Sequence, residues 1–154
     1  MQISERQGMA KFKYRMQNIL DVKLKLESQA KIAYGIANQK YLAEQQKLQE
    51  LIMRRTGYEM ALKELLEGSL DVKKVSRARA DVNTMKTLVR RQMIVVHKAE
   101  LELNEARQKL NDIMVERKTH EKLRERAFEQ FKEEIKENES KEIDELVSFT
   151  YNSK

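Results

Sequence analysis

The 154 residues carry 31 basic and 25 acidic side chains for a net charge of +6, with 36% charged residues, 6% aromatics, four Gly and no Pro, Cys or Trp. So few turn formers exclude sheets and most compact bundles, because each chain reversal needs them, and the lack of cysteine excludes disulfides and thiolate metal sites. The 40% hydrophobic content recurs at helical spacing, which separates the chain from disordered polyampholytes and fits long helices or coiled coils.

In chain order, residues 1–10 read as a flexible extension. MQISERQG has no apolar signal core, and Met9 stands as a second possible start. Lys11 to Met16 alternate charged and aromatic residues like a strand, yet nothing nearby could pair with them. A helical seam begins at Met16, so helix one is expected over about 14–66. Its a positions hold Leu20, Glu27, Tyr34, Tyr41, Leu48, Arg55 and Leu62. Its d positions include Met16, Lys23, Ala30, Ala37, Glu44, Leu51 and Tyr58. Gly35 and Gly57 fall inside the unbroken seam, where each costs about 1 kcal/mol against Ala and is expected to permit close approach.

A turn follows at 67–73, with Gly68 placed to stop the first helix and Ser69 or Asp71 to cap the second. Helix two is expected over about 74–147. Its a positions run Val82, Val89, Val96, Leu103, Leu110, Arg117, Arg124 and Phe131, and its d positions include Met85, Gln92, Ala99, Ala106, Ile113 and His120. Residues 149–154 read as a tail. The two helices would be ~80 Å and ~110 Å long at 1.5 Å per residue.

Charge supports an antiparallel pairing. Residues 1–26 hold six basic and two acidic groups, whereas 121–147 hold six basic and ten acidic; the middle, 70–98, holds eight basic and two acidic. The seams allow two registers one heptad apart. With paired numbers summing to 140, Glu27 faces Ile113 and Arg55 faces Met85. With a sum of 147, Glu27 faces His120 and Arg55 faces Gln92, while Tyr41 meets Ala106. Polar matching and volume favour 147. The fold class is therefore all-α: a single domain over 11–148 formed by two long helices in an antiparallel coiled-coil hairpin.

Such a fold has little room for an enclosed pocket. There is no Gly-rich phosphate loop, GxSxG, cysteine nucleophile or HExxH, so an enzyme is not expected, nor a metal or cofactor. No stretch nears the ~20 uncharged apolar residues that span a bilayer, and a soluble cytoplasmic protein is expected. The basic middle lacks interleaved aromatics and any recognition motif, which argues against nucleic acid. Off-seam apolar residues Ile52, Met93 and Ile94 point instead to a partner or to weak self-association.

The ends are more specific. FKYRMQNILDVKL at 12–24, EKLRER at 121–126 and KEIDELVS at 141–148, with Gln92 closing VNTMKTLVRRQ, together resemble the FliJ family, cytoplasmic coiled-coil proteins of the bacterial flagellar type III export apparatus. The resemblance implies a fold similar to the gamma-subunit stalk of rotary ATPases. It implies a non-enzymatic regulator of the hexameric export ATPase that links it to the membrane export gate and escorts export chaperones. Its place would be the cytoplasm, peripheral to the inner membrane. The implied ATPase-facing residues are Phe12, Tyr14, Met16, Gln17, Leu20, Leu123, Arg124, Phe128, Phe131 and Ile135. A gate or partner surface would include Tyr58 and Met85 with Ile52, Met93 and Ile94. Asp81 and Val82 depart from the aromatic and leucine common in that region of the family. A generic structural or nucleic-acid-bridging coiled coil is the alternative reading.

Overall fold

Two helices, α1 over Gln17–Glu67 and α2 over Val72–Asn152, make up almost all of the structure, a computed structural model that describes residues 11–68 and 71–152. The expectations for residues 1–10, for Ser69 and for the last two residues lie outside the described residues. No strand occurs among the described residues, as the all-α reading requires.

Local chemistry sets the boundaries. Lys11 to Tyr14 are not helical, and the first turn closes where the Gln17 N–H donates to the Tyr14 carbonyl and the Leu20 N–H to that of Met16, both at 3.1 Å. The helix starts three residues later than expected, because Phe12 is held against α2 by aromatic contacts that a continued helix would break. At the far end the Gly68 N–H donates to the Glu64 carbonyl at 3.1 Å. The Asp71 carboxylate then accepts from the N–H groups of Lys73 and Lys74 at 3.1 and 3.4 Å, an N-cap that satisfies two otherwise orphaned donors.

The chain divides into two compact units. Of the described residues, the first joins 11–28 with 112–152, and the second lies within Gln29–Asn111. The second unit is by itself a helical hairpin, with Ala30, Val82, Met85, Val89, Ala99 and Leu103 buried along its seam. Across that seam the Gln92 amide donates to the Glu44 carboxylate at 2.6 Å and to the Glu44 carbonyl at 2.9 Å, and Lys40 meets Glu102 at 3.0 Å. In the first unit Lys23 meets Glu116 at 2.6 Å, Arg117 meets Glu27 at 2.7 Å, and Arg124 donates to Gln17 at 2.8 Å. From Gln17 with Arg124 to Lys23 with Glu116 in the first unit, and from Lys40 with Glu102 to Glu44 with Gln92 in the second, the α2 partner moves down the sequence as the α1 position moves up it, so the helices run antiparallel within each unit.

The register expected from the sequence is wrong by one heptad. All of these pairs cluster around a sum of 140, and none reaches 147. His120 does not answer Glu27, and its Nδ1 is buried without a hydrogen bond. The error lay in requiring a seam charge to be answered by the residue straight across. A glutamate or arginine side chain reaches past that layer to the next, so Glu27 finds Arg117 instead of lying against hydrocarbon. The 140 register also keeps large residues opposite small ones, setting Tyr41 against Ala99, Tyr34 against Ala106 and Leu103 against Ala37. Its residual cost is Arg55, whose buried Nε makes no hydrogen bond and stands 3.6 Å from Glu59.

Gly35 and Gly57 are also corrected. A Cβ at either would meet nothing within 4 Å, so neither serves close approach between the helices. With cysteines placed at 41 and 99 of this cysteine-free chain, mild oxidation should give an intramolecular disulfide in high yield. The 41 and 106 pair, displaced by about 10 Å along the helix, should give little.

Candidate partner-binding surfaces

In the first unit, the non-helical segment before α1 places Phe12 against two aromatic rings of α2. Its ring centroid lies 5.0 Å from that of Phe128, edge-to-face, and 5.5 Å from that of Phe131, the geometry favoured by the ring quadrupole. The Arg124 guanidinium lies 5.6 Å from the Phe12 ring while its Nε donates to Gln17, and the Lys132 ammonium lies 4.9 Å from the Phe128 ring. An aromatic cluster capped by cations therefore closes the paired segments.

The residues implied for one surface are brought together here, but in different roles. Leu20 and Phe128 are buried and hold the seam, while Phe12, Tyr14, Gln17, Arg124, Phe131 and Ile135 are half-buried. Met16 and Leu123 are exposed and offer apolar area to solvent. The Tyr14 hydroxyl is buried without a hydrogen-bond partner. In the second unit, Met85 is only 6% exposed and belongs to the hairpin seam, so it cannot itself offer a contact surface. Ile52 is half-buried, whereas Tyr58, Met93 and Ile94 are exposed.

Sequence reasoning missed the ion network beside the aromatic cluster. Glu27 is 5% exposed, and its carboxylate takes the Arg117 guanidinium through two hydrogen bonds of 2.7 and 3.1 Å; Arg117 also donates to Glu121 at 2.9 Å. The hydrogen bond to Glu27, followed by that to Glu121, raises the Arg117 pKa above its ordinary value. The signal available was an acidic residue at an a position, which demands a partner on the facing helix. Two further carboxyls titrate below their ordinary value of 4.5, Glu116 chiefly through the hydrogen bond from Lys23 and Glu44 chiefly through that from Gln92.

Among the described residues no group of His, Cys, Asp and Glu could hold a metal ion, and no helix is long and apolar enough to cross a membrane. One concavity of the first unit is an open groove on α2 lined by Lys122, Glu125, Arg126, Glu129 and Gln130. These surfaces suit contact with another protein better than enclosure of a small molecule.

Because Glu44 and Glu116 have folded-state pKa values below 4.5, their contribution to stability is complete above the unfolded value and is lost as pH falls through the folded one. The thermal midpoint should drop on acidification below 4.5. Lys23→Met should lower it at neutral pH and flatten its acid limb, as followed by circular dichroism from neutral to strongly acidic buffer.

Comparison with protein-family models matches residues 12–154 to the family described as Flagellar FliJ protein. Comparisons with curated proteins and with solved structures return no match. With nearly the whole chain matched, and with two long helices paired antiparallel within each unit, this protein belongs to the FliJ family of flagellar export coiled-coil proteins.

Proposed function

We propose that this protein is a stalk-like, non-catalytic regulator of the hexameric flagellar export ATPase, linking that ring to the export gate and escorting export chaperones. The observation that carries the reading is the cation-capped aromatic cluster of the first unit, where Phe12, Phe128, Phe131 and Arg124 converge beside exposed Met16 and Leu123. A locked aromatic base flanked by exposed apolar side chains is a preorganised protein contact. A regulator of this kind needs no reacting group of its own; it acts by binding some conformations of the ring's subunits better than others. Tyr58, Met93 and Ile94, exposed on the second unit, supply the contact toward the gate, while buried Met85 supports it from the seam. Family membership supports the export setting, with the protein in the cytoplasm at the membrane-bound apparatus.

The test is co-purification with the cognate ATPase and stimulation of its hydrolysis. Met16→Glu with Leu123→Glu should weaken binding by about tenfold or more, equivalent to 1.4 kcal/mol or more, and should abolish stimulation. Both side chains are exposed, so helix content should be unchanged. Salt-sensitive DNA binding with no affinity for the ATPase would contradict the proposal and favour a nucleic-acid-bridging coiled coil.

A further inference from the structure

Two apolar stripes of the first unit remain open to solvent. On α1, Ile19, Val22 and Leu26 are 41%, 53% and 38% exposed, away from the neighbouring seam residues Leu20 and Glu27. On α2, no described residue after Ile135 is buried even partly. There Ile143, Leu146, Val147 and Tyr151 are 60%, 66%, 63% and 81% exposed and lie on one side of the helix. The stripe at the end of α2 cannot reach α1 of its own chain. The helix is continuous through this region, and Phe131 already lies level with Phe12, ahead of the first turn of α1.

We propose that two copies of this chain pair through these stripes, the end of α2 in each copy lying along the start of α1 in the other. The spacing matches. Ile19, Val22 and Leu26 repeat at intervals of three and four, as do Ile143, Leu146 and Thr150, so parallel alignment sets Ile143 on Ile19 and Leu146 on Val22. One layer earlier the same alignment puts Glu139 opposite Arg15. The charges also match. Residues 11–31 hold six basic and two acidic groups, while 133–147 hold seven acidic and two basic ones. Like segments therefore repel and unlike segments attract, which selects the crossed pairing. A twofold axis perpendicular to the helices reverses α2 of one copy relative to the other, making it parallel to the partner's α1. Both contacts then form at once and the assembly closes as a dimer. The stripes involve residues other than those given to the ATPase above, so the two ideas stand or fall separately.

The chain has no cysteine, which makes the arrangement directly testable. Sedimentation velocity across a concentration series should show a monomer–dimer equilibrium that weakens with added salt. Leu146→Glu should move its midpoint to about tenfold higher concentration without loss of helix. An oxidised equimolar mixture of Val22→Cys and Leu146→Cys chains should yield a cross-linked dimer, and either variant alone should not. Sedimentation as a monomer throughout would overturn the proposal and leave the stripes to a different protein. So would cross-linking of the mixture no greater than that of either variant alone.

Discussion

A carboxylate at the interface of two helices must be ionised without water, and this constraint governs the first unit. Glu27 sits at a seam position and is almost fully enclosed, and it is tolerable there because Arg117 donates two hydrogen bonds to it. Removing either partner would cost the other its two-pronged hydrogen bonding in a partly dehydrated place, a larger loss than the net worth of the pair. Sliding the helices by one heptad would do the same, so the pair acts as a register pin. In the second unit the Gln92 amide on Glu44 plays the corresponding part. Coiled coils use buried polar layers in this way, giving up some stability for a single alignment.

The function proposed above depends on that alignment more than on any one contact residue. In the correct register Phe12 reaches both Phe128 and Phe131, and Arg124 can serve Gln17 and the Phe12 ring together. Slippage by a heptad would separate these groups by about 10 Å. The cluster also explains why the segment before α1 leaves the helical path, because aromatic packing outweighs the one or two extra helical hydrogen bonds it displaces.

Much of the architecture was legible because it rests on strong, local signals. The absence of proline and the seven-residue repeats foretold two long helices, and Asp71 caps the second as its chemistry suggested. Register was not legible from facing residues alone, since flexible charged side chains choose partners one layer away. The same limit hid Arg117 as the partner of Glu27, one seam layer beyond the residue straight across, and Glu116 as the partner of Lys23, at the edge of the seam. Met85 misled for another reason. A family resemblance matches positions, but whether a methionine offers surface or fills a seam depends on the helix facing it. The apolar stripe at the end of α2 could have been found from the spacing of Ile143, Leu146, Val147 and Tyr151, but it sat where an acidic run drew attention to charge.

The most direct test replaces Glu27 and Arg117 together by leucine and measures the alignment itself. Spin labels at exposed Asn18 and Lys122, both in the first unit, report the register through their separation. With the ion pair intact, a single narrow distance distribution is predicted. Without it, a second population should emerge, displaced by about one heptad, or 10 Å of helix rise, with helix content retained. An unchanged single distribution in the double-leucine chain would contradict the claim that the buried pair sets the register.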